Sequence, residues 1–413
     1  MADLMLRCYT NIIVTQTPRV TDTTPRNAKI RFIFCNTWEG SENWTDLTNK
    51  GKLILPRNVW VKDAYTGQKV QLSSSINPQQ YINNLFRRGD KVEIASGYYR
   101  YDGTGREVLD MKQVFSGFIS KVESKQPITL ELEDAMWQMK QIPCKPQTWP
   151  KTKTVEELMN TLLAGTPYTV NALTQTTVGD LIIQNETVAQ LLGRLRHHYH
   201  LEAYFYGNEL RIGSLVYVPP SPPPNMVNAF VFQKNIISDE LTFQRKDDVK
   251  LSAVCESLNT VFTGKTNKKG QAKTKQERLT VLVTIGVDGK FSYVVKQKNV
   301  DLPPNEEGER RSLFFPNVED AATLAKMGAD ELIKYYYEGF KGTFTTFAIP
   351  DTRLGDYIKI VDTVLPDRTG YYVVKGVEKS GGVAGGRQKI TLAYKLINNN
   401  GMLQQPSTTP QLV

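Results

Sequence analysis

The chain has 413 residues, a formal net charge of +9 and a 40% hydrophobic share. At about 150 residues per domain this predicts several domains, and ordinary usage of Gly (29) and Pro (21) excludes collagen-like and broadly disordered classes. The small basic excess permits an anionic partner without demanding one.

Cys8, Cys35, Cys144 and Cys255 are too scattered for a Cys-x-x-Cys metal or redox site or for a disulfide framework. Reduced, mostly buried thiols are expected. No apolar run is long enough for a membrane span, and Met1-Ala2-Asp3-Leu4 does not open a signal peptide. The glycosylation patterns at Asn43-Trp44-Thr45 and Asn185-Glu186-Thr187 are therefore read as chance matches.

Residues 1–140 read as a first β domain. Alternating runs recur at Leu4–Val14, Lys29–Cys35, Lys52–Leu55, Lys91–Ile94, Val114–Val122 and Ile128–Leu132, with turns such as Asp102-Gly103 and Thr104-Gly105 between them. Many short strands with polar turns predict a barrel or sandwich. Residues 141–153 carry Pro143, Pro146 and Pro150, which push the chain extended, and a linker is placed there.

A small α+β domain is expected over residues 154–218. Thr154-Val155-Glu156-Glu157 and Thr187-Val188-Ala189-Gln190 are capping boxes, each followed by leucines at helical spacing. A hairpin follows, Leu201 to Tyr206, then Gly207-Asn208, then Glu209 to Ile212. Residues 219–225 form a polyproline linker. Residues 226–397 return to β, interrupted by a basic segment from Gly264 to Lys275 and by one long helix, about Val318 to Glu338, with Asn317 as N-cap and Gly339 after its end. Residues 398–413 are a polar tail.

The two β regions carry one pattern. Arg88-Gly89-Asp90-Lys91-Val92-Glu93-Ile94 is followed by Phe118-Ile119-Ser120-Lys121-Val122-Glu123 and Ile128-Thr129-Leu130. Leu354-Gly355-Asp356-Tyr357-Ile358-Lys359-Ile360 is followed by Val373-Val374-Lys375-Gly376-Val377-Glu378 and Ile390-Thr391-Leu392. Gly-Asp is a turn that launches a strand, so a duplicated barrel is expected, one copy near each end of the chain. A trimer of such chains would present six similar barrels and fit a hexameric ring.

Several motifs are weighed and set aside. Arg88-Gly89-Asp90 matches an adhesion tripeptide but repeats a turn that lacks the Arg at Leu354. Gly264-Lys265-Thr266 has Asn259 where a phosphate loop needs glycine. Gly381-Gly382-Val383-Ala384-Gly385-Gly386 lies between strands and reads as a hairpin loop. Ser116-Gly117 has Val114 where a nucleophile elbow needs glycine. His197 and His200 share a helix face, yet no His-Glu-x-x-His completes a metal motif, and the expectation is a helix C-terminal turn. Lys265, Lys268, Lys269, Lys273 and Lys275 lack interleaved aromatics and read as a solvated loop. No residue is assigned to catalysis, to a cofactor or to a metal.

With these residues in hand, the sequence resembles the tail or baseplate hub proteins of long-tailed bacteriophages, a superfamily shared with the N-terminal half of the type VI secretion spike protein. The matching stretches are Thr45-Asp46-Leu47 with Leu53-Ile54-Leu55-Pro56, Phe86 to Ile94 with Gly97-Tyr98, Val114 to Ile119, Thr187 to Gly213, and Gly355-Asp356 with the closing strands to Leu396. The resemblance implies a mainly β fold with α+β insertions, in which two tail-tube-like β-barrel domains flank the small α+β domain. It further implies a homotrimer in a pseudo-hexameric ring that joins the hexameric tail tube to the tip and lines the channel for DNA. The implied partners are the chain itself, the tube protein ring, distal tail or baseplate proteins, a tip or spike protein, the end of the tape-measure protein, and DNA in passage. No cofactor and no catalysis are implied, and the expected location is the distal tail of a virion assembled in a bacterial cytoplasm. A carbohydrate- or receptor-binding β module, a cell-wall hydrolase and a nucleic-acid binder remain as alternatives. The insert from Gly264 to Lys275 departs from the family pattern.

Overall fold

The computed structural model describes residues 7–20, 22, 26–56, 60–62, 69–71, 85–101, 104–123, 127–150, 152–172, 177–178, 181–213, 227–245, 248, 250–266, 272–286, 290–297, 301–304, 308–316, 318–332 and 335–396. Asp102-Gly103, the polyproline stretch, Lys268, Lys269, Asn317 and the C-terminal tail lie outside the described residues. Among the described residues no helix is long and apolar enough to cross a membrane.

The strands, in chain order, begin with β1 (Arg7–Thr15), β2 (Lys29–Phe32), β3 (Thr37–Asn43), β4 (Lys50–Ile54), β5 (Trp60–Lys62), β6 (Lys69–Gln71), β7 (Lys91–Tyr101), β8 (Glu107–Glu123) and β9 (Thr129–Glu133). The middle of the chain holds β10 (Gln147–Trp149), β11 (Thr169–Ala172), β12 (Leu181–Ile183), β13 (Glu202–Tyr206) and β14 (Glu209–Gly213). Then come β15 (Asn228–Val231), β16 (Ile236–Gln244), β17 (Leu251–Thr266), β18 (Ala272–Ile285), β19 (Phe291–Val295) and β20 (Glu309–Phe314). The series closes with β21 (Gly339–Phe347), β22 (Tyr357–Val361), β23 (Gly370–Gly382) and β24 (Arg387–Leu396). The mainly β architecture stands. Among the described residues the longest strand path is open rather than closed into a barrel, with β16 and β2 at its ends.

Two compact units divide the chain. Unit 1 comprises Met1–Met139, Thr345–Arg353 and Gly376–Ile390; unit 2 comprises Lys140–Phe344, Leu354–Lys375 and Thr391–Val413.

In unit 1 the strands lie in the order β3-β4-β9-β8-β7-β1-β2. Period-2 alternation sends Ile12 and Val14 of β1, Val92 and Ile94 of β7, and Leu130 and Leu132 of β9 into one core with Trp38, Leu53 and Phe86. Gly40 and Gly51 face each other across β3 and β4. The missing side chains make room for the Phe115 ring, which lies 2.9 Å from where a Cβ on Gly51 would stand. On its outer edge β3 takes up Gly376–Gly382 of β23, antiparallel, over seven register pairs.

Unit 2 contains the small α+β module. Its sheet order is β11-β14-β13, with β11 parallel to β14. Both expected capping boxes form: Thr154 caps the helix Val155–Leu162 and Thr187 caps the helix Val188–Tyr199, each with reciprocal side-chain and backbone bonds. Leu158, Met159, Leu191, Leu192 and Leu195 are buried. A second sheet, β19-β18-β17-β20, buries Ala253, Cys255, Val281 and Val283 against Leu324, Ala325, Ala329 and Leu332 of a helix.

That last helix spans Ala321–Leu332, shorter than the expected run from Val318 to Glu338. Asp320 supplies the cap, accepting from Thr323 N at 2.7 Å. The chain before it is held otherwise: Val318 N donates to Ser257 Oγ at 2.9 Å, and Val318 O accepts from Asn259 at 2.7 Å. Gly339 does not close the helix; it opens β21.

A further run of strands has the order β16-β21-β24-β23-β22-β15, with Phe230, Phe344, Ile358, Ile360 and Tyr372 buried. Numbered first to sixth in chain order, these six strands lie second-third-sixth-fifth-fourth-first. The unit 1 set β1, β3, β4, β7, β8 and β9 lies in that same order. At the first strand the sets differ, since β1 is antiparallel to β7 whereas β15 is parallel to β22.

Candidate functional site

Each of the two six-stranded sets is pinned by a Gly-Asp clasp. In the first, Gly89 adopts φ +96°, a conformation that favours glycine. Gly89 N donates to Ile119 O at 2.8 Å, and Ile119 N donates to Asp90 O at 2.9 Å. In the second, Gly355 adopts φ +80°. Gly355 N donates to Val374 O at 3.0 Å, and Val374 N donates to Asp356 O at 3.0 Å. The register that follows is the same, Lys91 opposite Phe118 and Tyr357 opposite Val373. The repeated sequence pattern is therefore a repeated backbone device.

The first clasp also accounts for Arg88-Gly89-Asp90. Asp90 is buried; its carboxylate accepts from Thr17 N at 2.9 Å, Arg87 N at 2.8 Å and the buried Arg26 guanidinium at 2.6 Å. An acid enclosed in this way presents nothing to a receptor, and it holds the β7 turn instead.

A groove of about 450 Å³ lies in unit 1, with the charged residues Glu39, Lys50, Lys52, Glu378, Arg387 and Lys389 in its lining. Cross-strand register sets Glu39 opposite Lys52, and Lys52 opposite Glu131. Lys121 continues the ladder with ion pairs to Glu123 at 3.0 Å and Glu131 at 3.2 Å, and bonding to Glu123 first and Glu131 second raises the affinity of its ammonium for the proton. Alternating charge across neighbouring strands steadies register. Lys379 is buried beside the groove and pairs with Asp351 at 2.5 Å.

The histidines gather in unit 2. A cleft of about 510 Å³ is lined by Gly193, Arg196, His197, His200, Glu202 and Ser312. His200 caps its helix in the left-handed region, φ 51°, and its Nε2 stands 3.3 Å from Glu256 Oε2 on β17. Arg278 of β18 donates to the same oxygen at 2.7 Å and to His198 O at 3.4 Å. Bonding to His200, with Arg278 beside it, holds the Glu256 carboxyl below its ordinary range. Tyr199 packs edge-on against Phe314. The expected helix C-terminal turn is present, and its partners fasten that helix end to β17 and β18. Glu256 lies 56 positions beyond His200 in the chain, so no local pattern announces the pair.

His197 and His200 both line the cleft, and the His197 ring packs edge-on against His198. Among the described residues no group of three or more His, Cys, Asp or Glu is placed to hold a metal ion. Cys35, Cys144 and Cys255 are buried free thiols, Cys8 is half-buried, and burial raises the pKa of each. Gly264 to Thr266 continue strand β17, where a phosphate loop would turn into a helix. The glycine run at 381–386 forms the β23–β24 turn, and a Cβ on Gly381 would stand 2.5 Å from the Trp38 indole nitrogen. Gly117 passes against the Glu133 carbonyl within the β8–β9 pairing, so Ser116-Gly117 serves packing.

No family model matches the chain, and no curated protein matches it in sequence. Solved structures do match. The chain is similar to the tail protein from Neisseria meningitidis MC58, at 13% identity over 95% of this chain and 98% of that one, with a TM-score of 0.52. It is similar to the 43 kDa tail protein of prophage MuSo2 from Shewanella oneidensis, at 13% identity over 95% and 99% of the two chains, with a TM-score of 0.50. The E. coli c3393 protein, a type VI secretion system component, matches at 10% identity over 96% and 79%, with a TM-score of 0.42. The class defined is therefore a fold class. Nearly the whole chain shares the fold of the Neisseria and prophage MuSo2 tail proteins.

Proposed function

We propose that the chain is the structural tail or baseplate hub of a phage or phage-like injection machine. Three copies form a pseudo-hexameric ring that joins the hexameric tail tube to the tip and lines the path of DNA. The single observation that carries this reading is the duplication, with one strand order and one Gly-Asp clasp occurring twice in a chain. Two like sheets per chain let a three-fold assembly meet a six-fold tube without a symmetry clash. The shared fold with two tail proteins over 95% of the chain supports the same reading.

In this reading residues 1–140 and 226–397 each contribute one tube-like set of strands. Residues 141–153 and 219–225 are linkers, residues 154–218 are the small α+β domain between them, and residues 398–413 are a tail. The work is mechanical, with no cofactor and no bond-breaking chemistry. The chain resides in the distal tail of the particle beside tube, tip, tape-measure and baseplate proteins.

The test is reconstitution with the cognate tube protein followed by electron microscopy. Rings of this chain seated on one end of each tube are expected. Tubes that never carry it, or peptidoglycan clearing by the purified chain, would overturn the reading.

A further inference from the structure

The groove of unit 1 gathers charges that its own side chains leave unmatched. Lys50 and Lys52 come from β4, Glu39 from β3, Glu378 from β23 and Arg387 from β24. All five are exposed, and among the described residues none of them closes an ion pair, although the register sets Glu39 opposite Lys52. Neighbours on the same sheet do find partners: Lys379 pairs with Asp351, and Lys121 with Glu123 and Glu131.

The register orders the groove into two rows, Lys52–Glu39–Ser380 and Lys50–Ser41–Glu378. Each row crosses β4, β3 and β23 and carries one ammonium, one carboxylate and one hydroxyl. The hydroxyls of Ser41 and Ser380 make no hydrogen bond among the described residues. Beyond the rows, Arg387 is held by Gly386 O at 2.8 Å and by the Phe347 ring beneath its guanidinium. Three strand steps separate β4 from β24, roughly 14 Å at the usual spacing, so cations stand at both ends with carboxylates between them.

This lining selects its ligand by exclusion. Glu39 and Glu378 repel a bare anion, and Lys50, Lys52 and Arg387 repel a bare cation. What satisfies both is an anion that also carries several hydrogen-bond donors. Carboxylates accept from hydroxyls, and serine hydroxyls donate and accept, as a partner hydroxyl does. An ammonium would use only their acceptor side. The volume, about 450 Å³, suits a small molecule.

We propose that this groove binds a small polyhydroxylated anion, of the class of a sugar acid or a sugar phosphate. The anionic group lies against the cations, and the hydroxyls lie over Glu39, Glu378 and the two serines. The site goes beyond the proposed hub and does not depend on the number of copies assembled.

The test is calorimetric titration of the full chain at low salt with glucuronate, glucose 6-phosphate, glucose, glutamate and inorganic phosphate. Both sugar anions are expected to bind about tenfold more tightly than the other three. The double variant Lys50→Ala, Lys52→Ala should weaken them about tenfold. Glu378→Gln should weaken the sugar anions yet leave phosphate bound as before or more tightly, because the lost carboxylate accepts hydroxyls and repels bare anions. Both variants should keep the parent's thermal midpoint. Phosphate or glutamate binding as tightly as the sugar anions, a double variant that binds them like the parent, or no heat with either at millimolar concentration would overturn the site and leave the hub standing.

Discussion

Gly89 and Gly355 perform the same act in different surroundings. Both hold positive φ, but a Cβ on Gly89 would meet the Trp137 ring at 2.9 Å, whereas nothing lies within 4 Å of one on Gly355. Gly355→Ala should therefore cost about 1 kcal/mol, the backbone cost alone, and Gly89→Ala about 2–4 kcal/mol. Denaturant unfolding of the two variants checks the order. Asp134 is a second residue with a measurable signature. It is buried, its Oδ1 accepts from Met136 N at 3.0 Å, and its Oδ2 has no partner among the described residues. Burial pushes its carboxyl up to about 7. The folded state thus binds a proton that the unfolded state has released, and stability attributable to Asp134 falls from about pH 4 to about pH 7. Asp134→Asn removes that slope, so its thermal midpoint relative to the parent should rise between pH 5 and pH 7.5. A gap that does not widen would contradict the account. At this scale the Gly-Asp turns were legible in sequence because their chemistry is local. The bond from His200 to Glu256 was not, because it joins residues that only tertiary structure brings together.

Helix starts are legible where the cap and its partner are three residues apart. Thr154 and Thr187 form their boxes as the sequence suggests, and Thr187→Ala should cost about 1 kcal/mol. The helix Ala321–Leu332 is shorter than its apolar spacing suggests, and at its start the reason is nonlocal. Ser257 and Asn259 hold Val318 against β17, so winding starts only after Asp320. Asp320→Ala should therefore destabilise by about 1 kcal/mol in thermal unfolding, and an unchanged midpoint would show that the cap lies elsewhere. Packing sets a harder limit at Gly328. A Cβ there would collide with the Cys255 sulfur, so Gly328→Ala should cost about 1–3 kcal/mol although alanine is the better helix former. Strands were legible from alternation, but not their neighbours. The β17–β20 sheet, which lies in sequence between β16 and β21 of the second set, could not be told from that set's own strands by periodicity.

For the whole molecule, the repeat seen as two short motifs proves to be two six-stranded sets with one strand order. Sequence reading reached the duplication because each copy keeps its clasp. The open strand path is not legible in the same way, since it depends on pairing across hundreds of residues. The order of the copies, not any single side chain, is what the functional account uses: a chain with two like sheets suits a ring of three. The native mass of the purified full chain, by light scattering over a concentration series, tests that claim most directly. The account predicts a plateau at three chains of 46.7 kDa each. A plateau at two or four chains, or a monomer at every concentration with and without the tube protein, would contradict it.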